Sequence, residues 1–237
     1  MQKEGHIMGY QIITQERSTL PIRGVLFDMD GVVLDTEKLY ARFWMEAARD
    51  FGYPMTWEQA LGMRSLSNTA GQAKLESYFG KGVSREALRN RRIERMDAYI
   101  QEFGVEAKPG VRELLTYLKN RGIRTAITTS SPMDRVKRYL TALDLLDGFD
   151  RLCSGHDVPK GKPEPDIYLY GAAALELRSG ECLAIEDSYA GLLSAYRAGC
   201  HAVMVPDLDG PSEDARPLLF ALADSLGDLI GLLEALK

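Results

Sequence analysis

The sequence predicts an α/β protein: a parallel sheet with helices on both faces and an all-helical segment inserted near its start. Three observations predict it. Five short apolar runs, GVLFD (24–28), RTAITT (124–129), FDRLCS (149–154), CLAIED (182–187) and HAVMVP (201–206), are bounded by Gly, Asp or Pro. Amphipathic helical patterns separate the later runs, which is the rhythm of βαβ units. Most of the runs are continuously apolar rather than alternating, as strands buried on both faces must be.

Residues 1–21 mix charges with short apolar patches and read as an N-terminal arm. They lack the long apolar stretch of a secretory signal. After the first strand the rhythm breaks, and residues 37–107 contain no convincing strand. TEKLYARFWMEAARDFG is a helical pattern with Leu39, Phe43, Ala47 and Phe51 near one face and Gly52 closing it. Asp35 or Thr36 is placed to cap its start. SNTAGQAKLESYFG and SREALRNRRIERMDAYIQEFG continue the helical module. Within it Arg85, Arg89, Arg91, Arg92 and Arg95 read as a solvated face, with Glu86 and Glu94 interspersed. The core resumes at KPGV (108–111), where Pro109 and Gly110 suit a hinge or a helix start. The expected boundaries are therefore an arm at 1–21, a core of 22–36 with 108–237, and a helical domain at 37–107. Val111, Leu114, Leu115 and Leu118 share one face of the next helix, which stops at Gly122. Pro132 sits near the start of the helix that follows the second strand, and a Leu-rich helix closes the chain.

The 237 residues suffice for one sizeable core and a smaller domain. A formal net charge of −5 argues against a general nucleic-acid or membrane-surface binder, which shows a basic excess. No apolar run approaches the roughly 20 residues that span a bilayer. Cys153, Cys182 and Cys200 are widely spaced and form no C-x-x-C pair, which suits a reducing compartment and small buried side chains. The expectation is a cytoplasmic protein, monomeric, with no nucleic-acid or membrane partner.

Parallel strands bring their carboxyl ends to one edge, where ligands bind. Here those ends carry chemistry. The first run ends at Asp28, with Asp30 two residues on; the second ends in Thr128, Thr129, Ser130 and Ser131; the fourth ends in Glu186 and Asp187. The loop before the fourth supplies Lys162. Carboxylates without His or Cys favour a hard cation, Mg²⁺ first. Mg²⁺, an ammonium and hydroxyl donors together trap a phosphoryl group, and a carboxylate beside them can attack phosphorus to form an aspartyl-phosphate. Asp28 and Asp30 face the same side of an extended chain, about 6–7 Å apart at Cα. One can attack while the other acts as general acid on the leaving oxygen and then as base on water. Gly31 lets the chain turn sharply. Ser130 and Ser131 sit where they could cap the helix at Pro132, with backbone amides able to meet phosphate.

DMDGVVLDTE resembles the first motif of the haloacid dehalogenase-like superfamily, D-x-D-G-x-x-x-D-[ST]-E. TAITTSS is similar to its second motif, with Thr129 at the phosphate-binding hydroxyl; GKPEPDIY to its third, with Lys162; and CLAIEDSYAGLLSAYRAG to its fourth, with Glu186 and Asp187. The four occur in order over about residues 23–235. The resemblance implies a Rossmann-like core and a helical cap inserted after the first strand. It implies Mg²⁺ held by Asp28, the backbone carbonyl of Asp30 and Asp187, with Glu186 close by. Superfamily dehalogenases lack the second aspartate, so Asp30 points to phosphoryl transfer. Arg64, in LGMRSLSN, resembles the cap loop that relatives use to meet substrate. The expected activity is hydrolysis of a small phosphomonoester, such as a sugar or polyol phosphate, with a β-phosphoglucomutase-like isomerase as the alternative. A non-enzymatic binding relative is disfavoured by the intact motifs. Mutases of the family, and many of its sugar phosphatases, carry a His where this chain has Tyr40, a residue placed to meet the phosphorylated substrate; in the mutases that His supports phosphoryl transfer, so Tyr40 counts against the isomerase without excluding it.

Overall fold

A computed structural model describes residues 9–14, 21–64, 66 and 68–236. The strands are β1 (Tyr10–Ile12), β2 (Gly24–Phe27), β3 (Arg124–Thr129), β4 (Arg151–Ser154), β5 (Cys182–Glu186), β6 (His201–Met204) and β7 (Ala221–Ala223). The helices are α1 (Glu37–Asp50), α2 (Trp57–Leu61), α3 (Asn68–Phe79), α4 (Arg85–Phe103), α5 (Val111–Asn120), α6 (Met133–Ala142), α7 (Asp166–Ala174), α8 (Tyr189–Ala198) and α9 (Asp228–Ala235).

The seven strands form one sheet in the order β1-β7-β6-β5-β2-β3-β4. All neighbours are parallel except β1 on β7. From β2 the chain moves outward to β3 and β4, then returns to place β5 on β2's other side. The strand order therefore reverses at β2 and β5, and a crevice at such a point opens at the strands' carboxyl ends. Alternation fixes the two faces. Leu26, Ala126, Cys153, Ala184 and Met204 pack in one apolar cluster with Ile167 and Ala172 of α7 and Leu192 and Ala195 of α8. Val25, Phe27, Ile127 and Ile185 alternate with them and are buried too, and Phe27 meets Phe149 edge-to-face at 5.5 Å. The sheet is thus covered on both faces.

Two outer strands were not read in the sequence. Tyr10–Ile12, in the expected arm, pair with Ala221–Ala223; three-residue strands of half-buried or small side chains carry too little pattern to recognise. Residues 1–8 and 15–20 of that arm lie outside the described residues.

The chain divides into two compact units, one made of the described parts of 1–34 and 106–237, the other Asp35–Val105. Among its described residues the second unit contains α1 to α4 and no strand. Its core gathers Ala41, Trp44, Ala48, Ala60, Leu75 and Leu88, among others. The buried face of α1 is Ala41, Phe43, Trp44, Ala47 and Ala48, rather than one running from Leu39 to Phe51; Phe51 is exposed beyond the helix end. The N-cap is Thr36, whose side chain makes no capping bond. The short helix α2, opened by a Thr56–Gln59 capping box, was also not expected.

The arginine-rich helix departs from a wholly solvated face at one position. Arg92 is buried, on the stripe it shares with Leu88, Met96 and Ile100. Its guanidinium lies 4.4 Å from the Tyr40 ring centroid and 5.3 Å from that of Trp44, a placement that suits a weakly hydrated planar cation. Arg91 and Arg95 instead converge on Asp50, with bonds of 2.6, 2.8 and 2.6 Å. Among the described residues no helix is long and apolar enough to cross a membrane.

The hydrogen bonds from Arg95 and Arg91 hold the Asp50 carboxyl well below the usual carboxylate range. A carboxyl with a depressed folded-state pKa contributes stability that is full above its unfolded value, about 3.9, and fades as pH falls below it. Asp50→Asn is therefore expected to lower the thermal midpoint at pH 7, with the difference shrinking below about pH 4 and vanishing only once pH falls through the depressed folded-state value. The solvent-exposed ion pairs should also make the difference shrink in high salt. Circular dichroism melts across pH check this; a constant difference at every pH would show that Asp50 acts by packing alone.

Candidate active site

Four elements deliver the site. Strand β2 is anchored on both sides by β3 and β5, and Asp28 continues it by one residue, its N–H donating to the Ile185 carbonyl at 3.0 Å. Asp28 is thereby fixed at the reversal point. The chain then turns at Gly31, whose φ of +84° is a left-handed conformation that glycine adopts without steric cost. The Gly31 N–H closes the turn on the Leu34 carbonyl at 2.9 Å, placing Asp30 at its corner. Strand β5 ends at Glu186, with Asp187 next, and α8 starts from Ser188, whose side chain accepts the Gly191 N–H.

The centre of the site is Lys162. Its ammonium donates to Asp28 Oδ1 at 2.6 Å, to Glu186 Oε1 at 2.6 Å and to the Thr128 carbonyl at 3.0 Å. The Lys162 side chain is only 9% exposed and that of Glu186 is wholly buried. Burial pushes the Asp28 carboxyl up to about 7; Lys162 opposes this, while Glu186 and Asp30 add to it. Burial alone would lower the Lys162 pKa, but the Asp28 and Glu186 carboxylates outweigh it and hold the ammonium charged.

Carboxylate oxygens of Asp28, Glu186 and Asp187 lie within 4.8 Å of one another. Three carboxylates against one ammonium leave two negative charges at a mostly buried point. An all-oxygen donor set with that surplus suits a hard divalent cation, and the upward push on Asp28 is the cost that such a charge would relieve. The residues present therefore fit a metal.

Two of the predicted phosphate ligands stand differently. Thr129 is buried at the end of β3, and its Oγ1 accepts the Ser131 N–H at 3.1 Å. Ser130 is exposed. Ser131 does not cap α6, whose N-cap Pro132 has no side-chain bond; its hydroxyl donates to Asp30 Oδ2 at 2.8 Å. The two remaining predicted contacts, Tyr40 and Arg64, belong to the helical unit. Tyr40 stacks on Arg92, and Arg64 Nε donates to the Leu61 carbonyl at 3.3 Å. An open groove of about 560 Å³, lined by Arg112, Lys119 and Asp150 among others, begins at Arg124 and Thr125. That is the amino end of β3, opposite the carboxylates.

Sequence reading missed the residues that hold Glu186. The hydroxyl of Tyr168, on α7, donates a short hydrogen bond to Oε1, and Ser188 donates to Oε2 at 3.2 Å. A Cβ on Gly191 would stand 1.9–2.0 Å from the Glu186 carboxylate, so the carboxylate occupies space that only glycine leaves open. The EDS-x-x-G spacing was the available signal for Gly191. Tyr168 reads as one more apolar position on its helix and gave none.

Residues 25–205 match the model of the haloacid dehalogenase-like hydrolase family. The chain belongs to that family. It is 35% identical over 197 residues to hexitol phosphatase A of Escherichia coli (strain K12), covering 82% of this chain and 86% of that protein. It is 32% identical over 218 residues to a phosphorylated carbohydrates phosphatase of Thermotoga maritima, covering 91% and 99%. Its fold superposes on a family hydrolase from Deinococcus radiodurans R1, crystallised with phosphate and sodium, with a TM-score of 0.75, 25% identity, and coverage of 91% of this chain and 96% of that one.

Because Glu186 is fully buried, each donor to it matters. Tyr168→Phe should reduce the free energy of unfolding by about 1–3 kcal/mol, and Gly191→Ala by more, since the carboxylate must move. Urea unfolding measures both; an unchanged midpoint in Gly191→Ala would contradict the close approach.

Proposed function

We propose that this hydrolase is a Mg²⁺-dependent phosphatase of small phosphomonoesters, of the sugar- or polyol-phosphate class, acting through an aspartyl-phosphate. The observation that carries the reading is Asp28 held 2.6 Å from a buried lysine beside two further carboxylates, with a second aspartate two residues on. The names of the relatives, a hexitol phosphatase and a phosphorylated carbohydrates phosphatase, support the substrate class.

In this reading a carboxylate oxygen of Asp28 attacks phosphorus. The bond from phosphorus to the ester oxygen breaks, its electron pair passes to that oxygen, and Asp30 protonates it to release the alcohol. Asp30, now ionised, takes a proton from water as the water oxygen attacks phosphorus. The bond to Asp28 breaks, inorganic phosphate leaves and the Asp28 carboxylate is restored. Lys162 and Thr129, with the Ser130 amide region, hold the phosphoryl oxygens and offset their growing charge. Asp28, Asp187 and the Asp30 carbonyl would hold Mg²⁺, with Glu186 beside it. When bound, the ion neutralises carboxylate and phosphoryl charge so that one anion can approach another. Residues 37–107 act as the cap that selects substrate, with Arg64 and Tyr40 as its contacts.

Tyr40 favours the phosphatase over the mutase, because it stands where mutases carry a His and its ring is engaged by Arg92. Released phosphate, measured over a panel of hexitol and pentitol phosphates with Mg²⁺, tests the reading. Asp28→Asn should lower turnover by at least about 10³-fold, and EDTA should abolish it until Mg²⁺ is restored. Near-normal turnover in Asp28→Asn would sink the mechanism. Conversion of β-glucose 1-phosphate without phosphate release would favour the isomerase.

A further inference from the structure

Ser131 is a buried hydroxyl residue with no local task. It stands between β3 and α6 but makes no bond at the helix start. Instead all three of its polar groups are committed to the site or its support. Its peptide N–H donates to Thr129 Oγ1 at 3.1 Å. Its carbonyl accepts the buried Ser154 hydroxyl at 2.8 Å, and the Ser154 oxygen in turn accepts the His156 N–H at 3.2 Å. Its hydroxyl crosses to Asp30 Oδ2 at 2.8 Å. The first two bonds pin its backbone to β3 and to the end of β4, so the hydroxyl has a fixed origin. The third runs from a hydroxyl that can donate to a carboxylate or accept from a carboxylic acid.

Two orientations follow. The Gly31 turn fixes the backbone of Asp30, and the Ser131 hydroxyl fixes its side chain. The Thr129 oxygen uses a lone pair on the Ser131 N–H, which leaves its own O–H to donate outward. One residue thus registers the proton donor against the phosphate-binding hydroxyl.

We propose that Ser131 is a positioning residue for Asp30, holding the carboxyl that protonates the leaving oxygen. The proposal rests on the phosphatase reading and deepens it. General-acid help matters most where the leaving group is a poor one: an alkoxide needs the proton, a nitrophenolate hardly does. A residue that only stabilises the fold, or only binds phosphate, affects both kinds of ester alike.

The test is kcat/KM, which reports phosphoryl transfer to the enzyme, for a hexitol 6-phosphate and for p-nitrophenyl phosphate. Ser131→Ala keeps the backbone hydrogen bonds to Thr129 and Ser154 and removes only the oxygen facing Asp30. It is expected to lower kcat/KM for the hexitol ester by about 10- to 100-fold and for the aryl ester by no more than about twofold. Asp30→Asn should show the same split, larger, and adding Ser131→Ala to it should change nothing further. Should Ser131→Ala not fold, Ser131→Cys, with its weaker donor, carries the same comparison. Equal losses on both esters, or none on either, overturn the role of Ser131. If Asp30→Asn itself fails to separate the two esters, the acid role of Asp30 falls and the proposal with it. If Asp30→Asn separates them and Ser131→Ala does not, only the proposal fails.

Discussion

The contact of Lys162 with Asp28 and Glu186 is the constraint on which the rest of the core depends. Glu186 is wholly buried and Asp28 nearly so. Two such carboxylates could not both stay ionised at the end of an apolar sheet without a cation between them. The ammonium supplies that charge, and its third bond, to the Thr128 carbonyl, ties the pair to β3. Three strand ends are therefore linked through one nitrogen. The loop that carries Lys162 must reach across the sheet, and α7 behind it contributes Tyr168, whose ring lies 5.1 Å from the same ammonium. Removing either carboxylate would leave the ammonium short of a partner, and removing the ammonium would leave two like charges facing each other.

That requirement explains where small residues sit. Gly191 lets α8 start directly over Glu186, and Gly171 lets α7 lie against Thr128, whose methyl would be 2.5 Å from a Cβ there. Both helices approach the strand ends closely because both positions lack a side chain. The sheet supplies rigidity by pairing both β2 and β5 on two sides, so Asp28 and Glu186 are presented by inner strands. The helical unit is built by different means, a compact apolar core with a buried Arg92 on two aromatic faces.

Most of the inner strands were legible as continuous apolar runs, and where a polar residue closed the run it pointed to the candidate site. Asp28, Thr129, Glu186 and Asp187 were picked out this way, and Lys162 by its place in the loop before the fourth run and by its motif. The outer strands β1 and β7 were not legible, since three residues cannot carry a period. Arg92 was recoverable in principle, because it lies four residues from both Leu88 and Met96, but charge composition suggested a solvated face instead. Ser131 and Tyr168 were beyond reach for another reason. What each does is set by a partner far along the chain, Asp30 for the one and Glu186 for the other, and no local pattern encodes such a pairing.

Asp28 and Asp30 show how partners divide roles between like residues. They are the same side chain two positions apart, delivered by one turn. Asp28 continues the central strand and meets a cation, which favours the ionised form that a nucleophile requires. Asp30 lies beyond the strand at the corner of the Gly31 turn, less buried, and accepts a hydrogen bond from the Ser131 hydroxyl. A neutral donor can orient a carboxyl without committing it to one charge state, since the serine oxygen accepts as readily as it donates. A cation cannot do this, because it opposes protonation. A hydroxyl therefore suits a group that must give up a proton and then take one back, while the Lys162 ammonium falls on the other aspartate.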